Sequence, residues 1–182
     1  MTLKRIGHVL LRVADIERAR AFYCGILGFN LREKDPEHGG VFLGLEHSAH
    51  TIDLMQAGDP RPLAREGNGA DDLSARGAPG LGHIAFQVDT EEALRNCYFE
   101  LKAHGVEVLR LMDHISQKSI YFRDPDGNTL EIYYELPNAL GLFLRGRGDE
   151  DAPFTFDPPP AETGITSDDA HSHTTALGAA NY

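Results

Sequence analysis

The fold is decided by two short stretches of the chain, GHVLLRV at residues 7–13 and GHIAFQV at residues 82–88. The second lies 75 residues after the first, and both lead from a Gly-His pair into an apolar run that ends in valine. Self-similarity at a fixed offset is typical of a repeated supersecondary unit. Each run has the length of a strand, and each precedes a stretch whose apolar residues follow the period of a helix.

The rest of each repeat predicts the same order of elements. Asp15 and either Asp89 or Thr90 suit the N-caps of the two helices, and Gly28 and Gly105 lie where the helices would end. Three strand-like segments follow each helix, at residues 30–33, 41–45 and 51–56 in the first unit and at 107–111, 119–122 and 129–133 in the second. The sequence therefore predicts an α+β fold in which two βαβββ units form an open, cup-like mixed β-sheet with the helices outside.

One domain is expected over residues 1–136, with its units at about 4–57 and 80–135. Between them, residues 58–79 carry Gly, Pro, Asp and Arg without an apolar period, which predicts a surface linker. The remaining residues, 137–182, are expected to form a C-terminal extension that is partly or wholly irregular.

Within this extension, a brief apolar run at residues 140–144 can pack back on the domain, and a tail is expected from Arg145 onward. Three prolines at residues 158–160 favour an extended chain, and the polar remainder can bury little surface. His171 and His173 are candidate metal ligands in this tail, but short His pairs more often lie in solvent.

The composition excludes several classes of protein. The chain has 182 residues with 17 basic and 28 acidic side chains, so its formal charge of −11 would repel a nucleic-acid backbone. No apolar run approaches the roughly 20 residues of a membrane span, and residues 1–5 lack the apolar core of a signal peptide. A cytoplasmic protein is therefore expected. Cys24 and Cys97 lie in the predicted helices, where buried thiols are expected rather than a disulfide.

Three polar residues, His8, His83 and Glu131, interrupt otherwise apolar strands. His8 and His83 occupy equivalent positions on the first strands of the two units, so they are expected to face each other across the cup. A carboxylate from the last strand completes a set of two imidazoles and one oxygen, which leaves positions of an octahedral ion open to substrate. A lone strand histidine is more often a hydrogen-bonded core residue. Two at equivalent positions with a third partner favour a catalytic metal site.

Tyr121 is expected in the same cup because of the turn that precedes Glu131. Residues 124–128 read DPDGN, which is turn chemistry throughout. A turn centred on Asp126 places Tyr121 directly opposite Glu131, and opposed residues of antiparallel strands project from the same face. From the pattern alone, Tyr121 is equally well a strand aromatic with its hydroxyl in solvent.

With this repeat and these residues, the sequence resembles the vicinal oxygen chelate superfamily, which includes glyoxalase I, extradiol ring-cleavage dioxygenases and antibiotic-resistance proteins. The resemblance spans residues 4 to about 135. His114, Tyr121, the DPDGN turn and Glu131 are similar to most of the extradiol dioxygenase signature, in single-domain form. The chain departs from that pattern at Met112, and at Ala49, where a further histidine is often found.

The resemblance implies an oxidoreductase of aromatic catabolism that cleaves a catechol-type ring with dioxygen. It implies that His8, His83 and Glu131 bind Fe(II), with Mn(II) as an alternative. His114 and Tyr121 would hydrogen-bond the substrate; residue His50 resembles the acid–base histidine, because a neutral imidazole is suited to taking a catechol proton. Self-association into a homo-oligomer is also expected.

Other functions of the superfamily remain open. Asp53 is the counterpart of Glu131, so a site of His8, Asp53, His83 and Glu131 would suit a glyoxalase I-like isomerase using Ni(II) or Zn(II). His50 and Asp53 lie three residues apart and would face opposite sides of a regular strand, so ring cleavage is favoured.

Two alternatives use no such isomerase chemistry. A bleomycin-resistance-type binding protein would lack the metal, and the retained His8, His83 and Glu131 argue against it. A fosfomycin thiol transferase would need a cluster of cations for the phosphonate, and the sequence shows none.

Overall fold

The computed structural model describes residues 5–34, 39–58, 80–145 and 151–157. The first unit contains β1 (Val9–Val13), α1 (Ile16–Gly25), β2 (Asn30–Lys34), β3 (Val41–Gly44) and β4 (Ile52–Gln56). The second contains β5 (Ile84–Val88), α2 (Glu91–Ala103), β6 (Val108–Asp113), β7 (Gln117–Arg123) and β8 (Thr129–Glu135). Most of the predicted linker, and His171 and His173, lie outside the described residues.

The two units have the same topology, which confirms the predicted α+β fold of two βαβββ repeats. The first sheet has the order β1-β4-β3-β2, and the second has the order β5-β8-β7-β6 with a short further strand beyond β6. In each sheet the first and last strands of the unit pair in parallel and the others pair antiparallel. Leu10 is thereby in register with Asp53, and Ala85 with Glu131.

Both helices begin at predicted caps. The Asp15 carboxylate accepts a hydrogen bond from the Arg18 backbone N–H at 2.9 Å. In the second unit the cap is Thr90 rather than Asp89, because the Thr90 hydroxyl accepts from the Ala93 N–H at 3.0 Å.

The units contact each other through the faces that carry the helices. The rings of Phe29 and Phe86 lie 5.6 Å apart, edge to face, and the Tyr23 hydroxyl on α1 donates a hydrogen bond to Asp124 at 3.0 Å. Phe86 and Ala85 are consecutive on β5, so they project from opposite faces of the second sheet. Because Ala85 shares its face with Glu131, the first unit contacts the second sheet on the side away from Glu131.

The C-terminal extension contains a helix, α3 (Ala139–Arg145), at the helix-like apolar run of residues 140–144. It also contains a strand that the sequence did not predict, β9 (Ala152–Pro153), which pairs with the edge strand β6. The expectation of a tail from Arg145 onward is therefore wrong for residues 151–157. The apolar run packs back only in part: Leu142 is half-buried, whereas Leu140 and Leu144 are 70% and 80% exposed.

Within the described ranges, none of the helices is both long and apolar enough to span a bilayer.

Candidate metal centre and acid–base residues

The first candidate half-site lies in the first unit and consists of His8, His50 and Asp53. The Asp53 carboxylate is buried, with one oxygen 2.6 Å from His50 Nδ1 and the other 3.6 Å from His8 Nε2. The two imidazole rings are stacked with their centroids 4.4 Å apart. One ligand atom from each residue lies within 4.8 Å of the other two, so the three side chains are close enough to bind one metal ion.

The contact between His50 and Asp53 corrects the expectation that they face opposite sides. The strand β4 begins at Ile52, so His50 lies in the preceding loop, where the alternation of a strand does not apply. Phe42 on β3 is paired with Asp53, and its ring meets the His50 ring edge to face at 5.7 Å. A hollow of about 300 Å³, lined by Gly7, His8, Ala49 and His50 among others, opens beside this half-site.

The second half-site lies in the second unit around Glu131. His83 Nε2 is 2.9 Å from Oε2 of Glu131, and the Gln117 side-chain amide donates to Oε1 at 3.1 Å. Glu131 is buried, and Tyr121 is directly opposite it on β7, which confirms the register expected from the DPDGN turn. The Tyr121 ring also meets the His83 ring edge to face at 5.6 Å.

Tyr121 and His114 form a hydrogen-bonded pair beside Glu131. His114 Nε2 is 3.0 Å from the Tyr121 hydroxyl, and the Arg110 guanidinium lies 4.7 Å from the centroid of the Tyr121 ring. Burial, and then the negative charge of Glu131, raise the pKa of Tyr121 above its usual value. The phenol is therefore neutral over the physiological range.

His114 is held in a tight turn between β6 and β7. Its backbone N–H donates to the Gln117 carbonyl at 2.8 Å, and the next residue, Ile115, has a φ of 66°. A branched residue in this left-handed region costs of the order of 1–3 kcal/mol, and such strain concentrates at functional sites. The Asp113 carboxylate accepts from the Ile115 N–H at 2.8 Å, which stabilises the turn.

The single chain does not bring His8 and His83 together. Across the described residues, the one group of three ligands within metal-binding reach is His8, His50 and Asp53, and it contains neither His83 nor Glu131. The reason is the contact between the units described above, which joins their helix faces and leaves Asp53 and Glu131 on separate surfaces. The site residues predicted from the sequence therefore form two half-sites, one in each unit.

Both half-sites fit a cation. Asp53 and Glu131 are 4% and 3% exposed, and a buried carboxylate is costly unless its charge is compensated. Among the described residues, the ion-pair partners of these carboxylates are histidines and not lysine or arginine. Imidazole and carboxylate ligands suit Fe(II), Mn(II), Ni(II) and Zn(II), so the donor set matches a divalent transition metal without distinguishing among these ions.

Two residues near the second half-site were missed by the sequence reasoning. Gln117 lies four residues before Tyr121 on β7, so the two side chains project from the same face and period-two spacing was a usable signal. Asp151, whose carboxylate lies 2.7 Å from His114 Nδ1, belongs to the C-terminal extension and had no such signal.

An apolar cavity of about 370 Å³ also lies between the units, lined by Phe29, Phe86, Cys97 and Leu101 among others. None of the candidate site residues lines it, because it opens on the helix faces of the sheets.

Two βαβββ units, with a group of side chains that could hold a metal ion, define the class to which comparison with known proteins also points. Residues 5–132 match the model of the Glyoxalase/Bleomycin resistance protein/Dioxygenase superfamily. The chain belongs to this superfamily, which confirms the resemblance noted from the sequence.

The particular relatives differ in activity. The chain is 29% identical over 159 residues to biphenyl-2,3-diol 1,2-dioxygenase 2 of Rhodococcus globerulus, covering 85% of this chain and 77% of that protein. It is 35% identical over 124 residues to human mitochondrial methylmalonyl-CoA epimerase, covering 60% of this chain and 66% of that protein.

Among solved structures, the fosfomycin resistance protein FosX of Listeria monocytogenes aligns with a TM-score of 0.55 and 23% identity, covering 76% of this chain and 98% of that chain. This likeness shows the fold alone.

Proposed function

We propose that this protein is a ferrous-iron extradiol dioxygenase, which opens the ring of a catechol with dioxygen. The observation that carries the proposal is the group around Glu131: His83 on one side of the carboxylate, and the hydrogen-bonded pair of Tyr121 and His114 on the same face. The group combines metal ligands with two polar side chains that can hold a substrate oxygen. The similarity to a biphenyl-diol dioxygenase over most of the chain supports the same reading.

In this proposal His8, His83 and Glu131 hold the metal, which when bound supplies a Lewis acid that brings catechol and dioxygen together. Tyr121 and His114 orient the substrate, because a neutral phenol beside an imidazole can both donate and accept a hydrogen bond. Glu131 is kept in place by Gln117. The supporting amide restricts the carboxylate to one orientation, which helps fix the ligand geometry.

His50 has the geometry of a general base. Its Nδ1 contacts Asp53 at 2.6 Å, and a carboxylate oxygen can only accept, so Nδ1 carries the hydrogen and Nε2 has the free lone pair of the neutral ring. That nitrogen can take the proton that a catechol hydroxyl loses. His50 is part of the open hollow beside the first half-site, where a substrate can reach it.

The proposal requires two copies of the chain, because one copy does not assemble His8 with His83 and Glu131. Leu10 shares the face of Asp53 and is 50% exposed. An exposed leucine beside a buried carboxylate suits a face that a second surface covers. We therefore propose a homodimer in which the first half-site of one copy meets the second half-site of its partner.

Subunit complementation tests this assembly. His8→Ala and Glu131→Ala each remove a ligand from both sites of a homodimer, so each variant alone is inactive. A mixed dimer carries one intact site, and a reshuffled equal mixture should therefore regain about a quarter of the wild-type activity. No recovery after proven subunit exchange would mean that each site lies within one chain.

The activity itself is tested by loading the protein with ferrous iron without oxygen, then adding 2,3-dihydroxybiphenyl or a simple catechol in air. A yellow ring-fission product and oxygen uptake, both lost in His83→Ala, are expected. Lys118→Ala is a matched control on the same sheet, since its amine pairs with Glu91 away from the metal ligands. Absence of product with every catechol tested would reject ring cleavage.

We also propose that the protein acts in the cytoplasm.

The contact of His8 with Asp53 favours a second candidate function, a glyoxalase-like isomerase or epimerase. With Asp53 as a fourth ligand the set becomes His8, Asp53, His83 and Glu131, which suits Ni(II) or Zn(II). The similarity to methylmalonyl-CoA epimerase is compatible with this candidate. Tight nickel or zinc binding that Asp53→Ala weakens, together with no catechol cleavage, would favour it over the dioxygenase.

A further inference from the structure

We propose that Asp151 is a positioning residue that fixes the tautomer and orientation of the His114 ring. It comes from the C-terminal extension, beyond the region that matches the superfamily model. The effect of Asp151 on turnover rests on the proposed function, whereas its effect on the imidazole does not.

The geometry places His114 between a carboxylate and a phenol. Oδ2 of Asp151 lies 2.7 Å from His114 Nδ1, and the Tyr121 hydroxyl lies 3.0 Å from Nε2 on the other side of the ring. The His114 side chain is 13% exposed and that of Asp151 is 39% exposed, so water has little access to the imidazole while the carboxylate is partly solvated. A carboxylate oxygen can only accept, and the Asp151 contact is therefore favourable when Nδ1 carries the ring hydrogen. In the neutral ring, Nε2 is then the acceptor that faces Tyr121.

The segment that carries Asp151 is anchored on the second sheet at several points. In β9, Pro153 and Ala152 pair with Met112 and Asp113 of β6. The Phe154 N–H donates to the Leu111 carbonyl at 3.3 Å.

Further along the segment, the Phe156 ring packs against Tyr98 of α2 with their centroids 5.5 Å apart. The Arg95 guanidinium donates to the Asp157 carbonyl at 3.0 Å. These contacts, together with the β9 pairing, hold Asp151 at a defined position beside His114.

Fixing His114 also determines what Tyr121 can do. When Nε2 is an acceptor, the Tyr121 hydroxyl donates its hydrogen to His114 and its remaining lone pair is available to accept from a substrate hydroxyl. A carboxylate, an imidazole and a phenol in series also polarise one another. Asp151 touches neither substrate nor metal in this arrangement and acts through His114.

Nitrogen NMR of histidine-labelled protein tests the tautomer directly. At about pH 9, where imidazoles are ordinarily neutral, wild-type His114 should show a protonated Nδ1 and an unprotonated Nε2. Asp151→Ala should shift the ring toward the Nε2-protonated tautomer, and Asp151→Asn should retain the wild-type pattern because its amide oxygen still accepts. Asp157→Ala is the matched control, since it removes a carboxylate from the same segment but leaves the backbone carbonyl that Arg95 binds.

A wild-type ring already protonated on Nε2, or a tautomer that Asp151→Ala leaves unchanged, would overturn the proposal. In catechol turnover, Asp151→Ala should lower kcat about tenfold, the low end of the effect of removing a group that supports a site residue from outside the site, with KM changed less than about twofold. Asp151→Asn should restore most of kcat. A tautomer shift in a protein that never cleaves catechols would uphold the role of Asp151 and reject only the dioxygenase function.

Discussion

Replacing Tyr23 with phenylalanine should weaken the contact between the two units by a predictable amount. The Tyr23 side chain is fully buried, and its hydroxyl donates to Oδ2 of Asp124 at 3.0 Å. The Asp124 carboxylate also accepts from the Asp126 N–H and from the backbone and side chain of Asn128, at 2.7–3.0 Å. It keeps those three donors when Tyr23 loses its hydroxyl.

Hydrogen bonds to charged groups contribute about 1.5–3 kcal/mol to the free energy of unfolding. Because Asp124 keeps three other donors, the loss expected for Tyr23→Phe lies near the lower end of this range, at about 2 kcal/mol. For a chain of this size that corresponds to a drop of about 4–8 °C in Tm. Urea unfolding at fixed protein concentration measures the loss in the free energy of unfolding. Tyr98→Phe is the control, because its hydroxyl has no hydrogen bond within the described ranges and should cost less than about 0.5 kcal/mol. Equal losses in the two variants would refute the reasoning.

Three other perturbations have expected outcomes. Burial and the Asp124 carboxylate raise the pKa of Tyr23 in the folded protein. The Tyr23 hydroxyl therefore contributes to the free energy of unfolding below about pH 10, its pKa in the unfolded chain, and this contribution is lost as the pH rises further. The difference in the free energy of unfolding between wild type and Tyr23→Phe should narrow from about pH 9 to 11. Asp126→Ala leaves the Ala14 N–H and the Arg18 guanidinium without their shared acceptor and should cost about 1–2 kcal/mol in urea unfolding. Thr90→Ala removes the α2 cap and should cost about 1 kcal/mol, whereas Thr90→Ser should cost far less.

The parts of the fold that follow local rules could be predicted from the sequence. The caps at Asp15 and Thr90 depend on side chains within three residues of the N–H groups they bind. The pairing of Tyr121 with Glu131 depends on a five-residue turn and on strand alternation. His83 was grouped with Glu131 because both are polar residues in otherwise apolar strands, and the structure places them 2.9 Å apart.

The parts that depend on long-range packing could not be predicted. Nothing local to Tyr23 indicates that it binds Asp124, 101 residues away, yet this contact helps set which faces of the units meet. His50 was placed on a strand that begins only at Ile52, and loops do not follow the alternation. The strand at residues 152–153 is too short for a periodic signal.

The most direct test of ring cleavage by this protein is to supply the iron-loaded protein and a catechol with ¹⁸O₂. The isotopic mass of the ring-fission product is then measured by mass spectrometry. A dioxygenase transfers both atoms of dioxygen to the ring carbons it separates, so the product carboxylate should carry ¹⁸O from the gas and not from labelled water. Incorporation that disappears in Glu131→Ala would establish iron-dependent ring cleavage at this site. A catechol that is recovered unchanged, or a product labelled only from water, would contradict the account.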